Sequence, residues 1–456
     1  MRARSAARAA LVAALLAAAT AAHEAPARGP LRSGPLVGAT EISASEIWLQ
    51  SRWPCRAQLR FWPADRPAAA RLSEPVSTAP ESDHIARFRL SDLEFGTRYE
   101  YEVYLDGRRV DRPYPTTFAT QPMWRWRTDP PPVRVAVGSC AYINDPSYDR
   151  PGKPYGSDYQ IFAAILAARP DLMVWLGDNV YYREADWSTE AGMRRRNAHT
   201  RELPELQPLW ASLPHYAAWD DHDYGPNNSD ASFRGGEAAL RVFRDYWANP
   251  SYGRADLPGA FTRFEWADVE FFLLDGRTYR TLPARGDASP AAMLGPAQLE
   301  WLQTALGSSV ATFKVVVSPS QALNPMSHAD SWTQFPAELE ALIDFLRLRR
   351  IEGVLFVSGD RHHTELIRRD EPGFYPLYDF TSSSLTAGMG VEEREADNPA
   401  RVPGTWVNDS HNFGLLEVSG PAKQRRLTLR TLDAGGRERW RHEIAAATLR
   451  LPPRPQ

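Results

Sequence analysis

The chain has little of what staples, charges or anchors a protein. Only two cysteines occur, Cys55 and Cys140, so a disulfide framework is excluded; the two thiols form one bridge or stand separately. Lysine is nearly missing: of 53 Lys+Arg, only Lys153, Lys314 and Lys423 are lysine. Neither sign of charge prevails. The 53 basic residues against 56 acidic ones leave a net charge of −3, which gives no reason to expect a nucleic-acid-specific partner or an anionic membrane surface. Long apolar runs are also missing. The longest, Ala9 to Ala19, has 11 residues, where a bilayer span needs about 20. No His-Glu-x-x-His occurs, which excludes that class of metalloprotease. Ser382-Ser383-Ser384 lacks the glycines of a serine-hydrolase nucleophile elbow.

What is present describes an ordinary globular chain. Its 456 residues are 43% hydrophobic and 24% charged, enough for about three domains, or two if one is a large α/β core. Arg2, Arg4 and Arg8 precede the short apolar run, and small residues follow it up to His23. That order reads as a cleavable secretory signal peptide over 1–22, so the expected location is periplasmic or secreted. There is no Arg-Arg pair ahead of the run for twin-arginine export, and no nearby cysteine for a lipid anchor.

From 34 to 121 the text is strand-like: Ile47 to Leu49, Ala57 to Trp62, Ile85 to Leu90, and Tyr99, Tyr101, Val103 and Leu105 alternating with polar residues. Short strands at this spacing predict a β-sandwich. Leu93 to Tyr99 resembles the fibronectin type III or immunoglobulin-like corner in which a tyrosine bonds back to upstream backbone. A break at Asp129-Pro130-Pro131-Pro132 follows. From 133 to 446 apolar strands alternate with helices predicted at 158–168, 237–247, 298–306 and 336–350, an α/β core that closes on further strands. The stretch 183–213, rich in Arg and Glu, reads as an inserted loop able to select substrate.

In open α/β folds functional groups sit beyond the carboxyl ends of strands, and four apolar runs end in suggestive text. These are Gly138-Ser139-Cys140, Gly177-Asp178-Asn179-Val180-Tyr181, Trp219-Asp220-Asp221-His222 and Ser358-Gly359-Asp360-Arg361-His362-His363. Each alone is more often a turn, a cap or packing. Their order along one core resembles the calcineurin-like metallophosphoesterase series. Ser139-Cys140 in place of the usual first Asp-x-His, with Tyr181 three residues after Asp178 and Asp221 where Asn is usual, is similar to the PhoD-like alkaline phosphatase/phosphodiesterase family. Leu274 to Arg280, Gln298 to Leu302 and His411-Asn412-Phe413-Gly414 extend the resemblance over about Pro35 to Ile444.

The resemblance implies an α/β metallophosphoesterase core of mixed β-sheets flanked by helices, behind an N-terminal fibronectin III/immunoglobulin-like β-sandwich. It implies Cys140 and Tyr181 as ligands of Fe3+, Asp178 as a bridge between metals, Asp360 and His362 as ligands from the last motif and Asp221 in the position of the usual Asn ligand, with Ca2+ or another divalent cation at the second site. Thiolate and phenolate donate strongly to trivalent iron, and an all-oxygen neighbour suits calcium. A metal-bound hydroxide or oxide near Asp178 would attack phosphorus. His222 would stabilise the phosphoryl oxygens or protonate the leaving oxygen, and Arg277 would add a bidentate phosphate contact. Arg361, His363 and His411 are weaker candidates, with structural roles at least as plausible. Gln321 stands near where relatives with two metals place a further histidine. The expected activity is hydrolysis of small-molecule phosphate monoesters or diesters by a monomer. The alternatives are a phospholipase D-like phosphodiesterase of the same fold and a non-catalytic exported cation-binding or adhesion protein. A Cys55–Cys140 bridge would remove the thiolate ligand, so two free thiols are expected.

Overall fold

The computed structural model describes residues 29–282, 291–326, 330–390 and 395–451; the expected signal peptide lies outside them. Two six-stranded mixed sheets form the core. In the first, the strands run His215–Ala218, Leu172–Leu176, Val133–Gly138, Asn412–Ser419, Arg426–Asp433 and Glu438–Ala445. In the second they run Thr262–Trp266, Val269–Leu273, Phe313–Ser318, Val354–Ser358, Leu377–Thr381 and Glu365–Arg369. His215–Ala218, Leu172–Leu176 and Val133–Gly138 run parallel in the first sheet, and Val269–Leu273, Phe313–Ser318, Val354–Ser358 and Leu377–Thr381 in the second. They read as continuous apolar runs because both of their faces are covered.

The period-2 alternation of each strand assigns its faces. Val133, Val135, Val137, Leu172 and Val174 point into a core shared with Phe271, Val315 and Leu355 of the second sheet. Ala136, Met173, Trp175 and Ala217 point the other way, into a second core with Ile161, Phe162 and Ile165 of the helix Ile161–Ala167. Helices Gly295–Ser308 and Pro336–Leu348 cover the outer face of the second sheet through Leu302, Leu342 and Leu346. Layers of helix, sheet, sheet and helix result.

The N-terminal strands form a β-sandwich. One sheet pairs Leu31–Thr40, Ser45–Ser51 and Ile85–Leu90; the other is built on Arg56–Pro63 and Arg98–Leu105. Between them lies a core that includes Ile47, Leu59, Phe88, Tyr101 and Cys55. The tyrosine corner forms as expected, the Glu94 N–H donating to the Tyr99 hydroxyl at 2.8 Å. The sandwich is also welded to the α/β core. Leu36, Trp48 and Ile85 belong to the second core cluster, Trp48 Nε1 donates to the Asp245 carbonyl at 2.9 Å, and a Cβ on Gly38 would fall 2.3 Å from that of Ala248.

Within 183–213 the chain is not a simple loop. It forms the helix Glu190–Arg201, capped by the Thr189 hydroxyl accepting from the Gly192 N–H at 3.0 Å. Its buried face holds Arg196, Asn197 and Arg201 beside Met193 and Ala198, so no apolar period marks it in the sequence.

Candidate metal centre

Four parallel strand ends, three from the first sheet and one from the second, converge on one point. Val133–Gly138 delivers Cys140, Leu172–Leu176 delivers Asp178 and Tyr181, His215–Ala218 delivers Asp221 and His222, and Val354–Ser358 delivers Asp360 and His362. The ends are packed tightly enough to require glycine. A Cβ at Gly359 would lie 2.6 Å from the Ser139 Cβ and 2.9 Å from the Leu176 carbonyl oxygen, and one at Gly177 would lie 2.7 Å from the Asp220 Cβ. Just beyond, Cys140, Asp178, Asp360 and His362 all adopt left-handed backbone, with φ of 60°, 52°, 64° and 56°. Side chains other than glycine rarely accept that conformation, and it concentrates at sites where geometry is over-determined by function.

The geometry yields two donor groups that share one carboxylate. Cys140, Asp178 and His362 bring one donor atom each within 4.8 Å of one another, as do Asp178, Asp221 and His222. Cys140 Sγ is 3.7 Å from Asp178 Oδ2, and the Tyr181 hydroxyl is 3.3 Å from His362 Nε2. Asp360 lies outside both triads; burial, then the charges of Asp330 and Asp221, raises its carboxyl.

Burial sets the electrostatics. Desolvation, then the charges of Asp221 and Cys140, pushes the Asp178 carboxyl well above the carboxylate range. Desolvation followed by Asp178 and Cys140 does the same to the Tyr181 phenol. For Cys140, burial works against ionisation, but the neighbouring His362 outweighs it and lowers the thiol. Burial likewise opposes the charge on His362, yet Cys140 lifts it to about 9. Burial holds His222 down to about 4 and lifts Asp360 to about 7. Anionic donors whose pKa values climb through burial first and mutual repulsion second are what a cation would relieve.

Fixed backbone hydrogen bonds hold the donors. His222 N–H donates to Asp178 Oδ1 at 3.3 Å and to Asp221 Oδ1 at 2.9 Å, and Asn228 N–H donates to Asp221 Oδ2 at 2.6 Å. The Asp223 carboxylate accepts from the N–H groups of Asn179, Val180 and Asp220 at 2.9–3.2 Å, tying the second motif to the third. The His222 ring lies 4.3 Å from the Tyr181 ring, and its buried Nδ1 has no hydrogen-bond partner among the described residues.

Arg277 is placed elsewhere. It is fully buried. Its Nε donates to Asp220 Oδ1 at 2.7 Å, Nη2 to Asp330 Oδ2 at 2.7 Å and Nη1 to the Ser229 carbonyl at 3.2 Å. A guanidinium so engaged buttresses the third motif and has no fork free for a phosphate. Arg361 is buried in an ion pair with Glu395, and His363 joins Glu365 and Glu395 in a separate buried cluster. Gln321 donates to Glu365 and Thr381 at 2.8 and 2.7 Å, within that same network. The His411 imidazole, lowered by burial, feels the charge of His362. Both cysteines are free thiols, and Cys55 lies in the sandwich core.

Three contributors escaped the sequence reading. Ser383 donates to Cys140 Sγ at 3.1 Å, Tyr155 approaches His362 Nδ1 at 3.4 Å, and Arg183 lines the cavity beside Tyr181 and His222. Arg183 directly follows Tyr181-Tyr182 and opens the 183–213 stretch, and Ser383 belongs to the Ser382-Ser383-Ser384 run. A cavity of about 470 Å³ opens over Tyr181 and His222. A slightly larger one, about 500 Å³, lies away from these donors where the sandwich meets the core.

The comparisons agree with this geometry. Residues 135–425 match the PhoD-like phosphatase family, and residues 28–123 match a domain of unknown function (DUF7800). Alkaline phosphatase D of Bacillus subtilis (strain 168) is 23% identical over 358 residues, which span 66% of this chain and 60% of that protein, less than two thirds of its length. Among solved structures, one of PhoD superposes with a TM-score of 0.72 at 18% identity, covering 91% of this chain and 89% of that one. The purple acid phosphatase PPD1 of yellow lupin (Lupinus luteus) seeds gives 0.63 at 11% identity, covering 90% and 74%. At such identities the superpositions establish the metallophosphoesterase-like fold. The family match takes in all four strand-end motifs and well over half of the sequence, and the chain belongs to the PhoD-like phosphatase family.

Proposed function

We propose that the protein is an exported, metal-dependent phosphoesterase of the alkaline phosphatase D type. The observation that carries the reading is the pair of donor groups sharing Asp178 at converging strand ends. The donor chemistry fits two unlike cations. A thiolate, a phenolate, a carboxylate and an imidazole from Cys140, Tyr181, Asp178 and His362 suit Fe3+, while Asp178 and Asp221, with Asp360 close by, suit Ca2+ or another hard divalent ion. Such a cluster supplies charge neutralisation for the phosphoryl group and activation of water.

The chain's own residues do the rest. Asp178 belongs to both donor groups and fixes their spacing. Ser383 donates to the Cys140 sulfur and orients it. His222, its ring tilted against that of Tyr181 and lining the cavity, presents its ring to the phosphoryl or leaving oxygen. The layers of Tyr142, Tyr155 and Tyr181 wall the cavity and limit water access. Export rests on the basic, apolar and small-residue order of 1–22.

The test is elemental analysis of purified protein with a visible spectrum on the same sample. About one iron per chain with calcium, and a phenolate-to-iron band that disappears in Tyr181→Phe, support the reading. Hydrolysis of p-nitrophenyl phosphate or its bis ester should vanish in Asp178→Asn and after chelation. No bound metal and no turnover of either ester would turn the assignment toward a non-catalytic cation-binding protein.

A further inference from the structure

Buried arginines in this protein come with carboxylates. Arg196 meets Asp186, Arg277 meets Asp220, Arg280 meets Asp330, Arg361 meets Glu395 and Arg425 meets Asp268. Arg183 breaks the pattern. It is 8% exposed, yet among the described residues no carboxylate lies within ion-pairing distance of its guanidinium. The adjacent Asp186 accepts only its backbone N–H, at 2.9 Å, and spends its charge on Arg195 and Arg196. Arg201, the other buried arginine without a carboxylate among the described residues, has both Nη bonded inside the core, to Asn197 Oδ1 and the Tyr246 carbonyl. Arg183 does not: Nε donates to the Tyr142 hydroxyl at 3.2 Å, and neither Nη makes a hydrogen bond among the described residues.

Aromatic rings hold this cation in place. Its guanidinium carbon lies 4.7, 5.5 and 5.7 Å from the ring centres of Tyr142, Tyr155 and Tyr181. Stacking of that kind positions a planar fork without neutralising it. Arg183 lines the same cavity of about 470 Å³ as Tyr181 and His222, and its charge is felt at the His222 ring. Among the described residues that line the cavity the one carboxylate, Asp149, is already engaged by the Tyr142 hydroxyl at 2.5 Å and by Arg196 at 3.4 Å. An unbonded fork that opens on the cavity with no carboxylate paired to it among the described residues is free to meet an anion.

We propose that Arg183 is a specificity-determining residue that grips non-bridging phosphate oxygens and favours dianionic phosphomonoesters over monoanionic diesters. This rests on the phosphoesterase reading above. A planar fork binds two oxygens at once, and a second negative charge on the phosphoryl group roughly doubles the Coulombic attraction to a fixed cation. A diester has one charge and only two non-bridging oxygens, so a fork that holds both leaves none over, whereas a monoester keeps a third.

The experiment compares the metal-loaded protein with Arg183→Met and Arg183→Lys. It measures kcat and KM for p-nitrophenyl phosphate and bis(p-nitrophenyl) phosphate, and the inhibition constant of inorganic phosphate. Arg183→Met should weaken phosphate inhibition by about 10- to 100-fold and raise KM for the monoester similarly, the range that loss of charge-assisted hydrogen bonds gives. The monoester-to-diester ratio of kcat/KM should fall by about tenfold. Arg183→Lys, which keeps the charge without the fork, should recover part of both. Equal losses on the two esters with unchanged phosphate inhibition would overturn the proposal and leave Arg183 a support for the tyrosines. So would no change at all. If Arg183→Met fails to retain metal, Arg183→Lys carries the comparison, with the same outcomes deciding. If the unaltered protein cleaves neither ester, the functional reading falls. Arg183 is then judged on the thermal stabilisation that phosphate gives the metal-loaded protein, which should shrink in Arg183→Lys; an undiminished effect would overturn the proposal.

Discussion

Arg277→Met separates a structural arginine from a phosphate-binding one. In the native structure Asp220 is 1% exposed. Its Oδ1 is held by the Arg277 guanidinium, and its Oδ2 has no partner among the described residues. Removing the guanidinium therefore strands a buried carboxylate. Asp330, the other partner, keeps Arg280. Breaking one side of a buried pair costs about 3–5 kcal/mol, and the surviving Arg280 contact puts this case at the low end, about 3 kcal/mol. Unfolding entropy of about 2.1 cal/mol/K per residue makes about 1 kcal/mol/K over the whole chain, so the midpoint should fall by about 3 °C. Scanning calorimetry reads this directly. Asp220→Asn in the same background removes the stranded charge and should recover part of the loss, while KM for a phosphate ester stays near that of the unaltered protein. An unshifted midpoint with kcat/KM reduced by about 100-fold or more would refute the reasoning and return Arg277 to the phosphate.

Other perturbations test other links. His215 is buried, takes a hydrogen bond from Trp175 Nε1 on its Nδ1 at 3.0 Å, and is held down to about 3 by desolvation. Between about pH 6.5 and that value the unfolded chain binds a proton the native chain refuses. Its contribution to stability is whole above about pH 6.5 and falls with pH by up to about 1.4 kcal/mol per unit. Urea unfolding of His215→Gln across that range should show a correspondingly shallower slope, and identical slopes would contradict the assignment. Gly359→Ala forces a Cβ against Ser139 and the Leu176 carbonyl, and should cost about 1–3 kcal/mol and lower the bound metal measured by elemental analysis. Trp48→Ala empties a fully buried site where the sandwich meets the core; a loss of about 3–5 kcal/mol is expected, and a loss below about 1 kcal/mol would mean the two parts are not energetically joined. Thiol counting on demetallated, unfolded protein should find two free thiols.

The sequence by itself determined the strands, because each apolar run and each alternating stretch carries its own period. The strands Arg56–Pro63, Ile85–Leu90 and Arg98–Leu105 lie where the text puts them. It also determined which strand ends hold metal-binding residue types, since Cys140, Asp178, Tyr181, Asp221, His222 and His362 stand in short contiguous motifs. Tertiary structure decided what those motifs could not encode, because side chains distant in sequence become neighbours only through sheet order. That the Asp178 donor is shared between two groups depends on His215–Ala218 pairing with Leu172–Leu176 and on Val354–Ser358 arriving from the other sheet. The family resemblance made Arg277 a ligand for phosphate, but Asp220 and Asp330 take its fork. Arg183 looked like one of many arginines in a charged loop. Its lack of a carboxylate, visible only in three dimensions, sets it apart: charge is written in the sequence, but compensation of charge is a property of the fold.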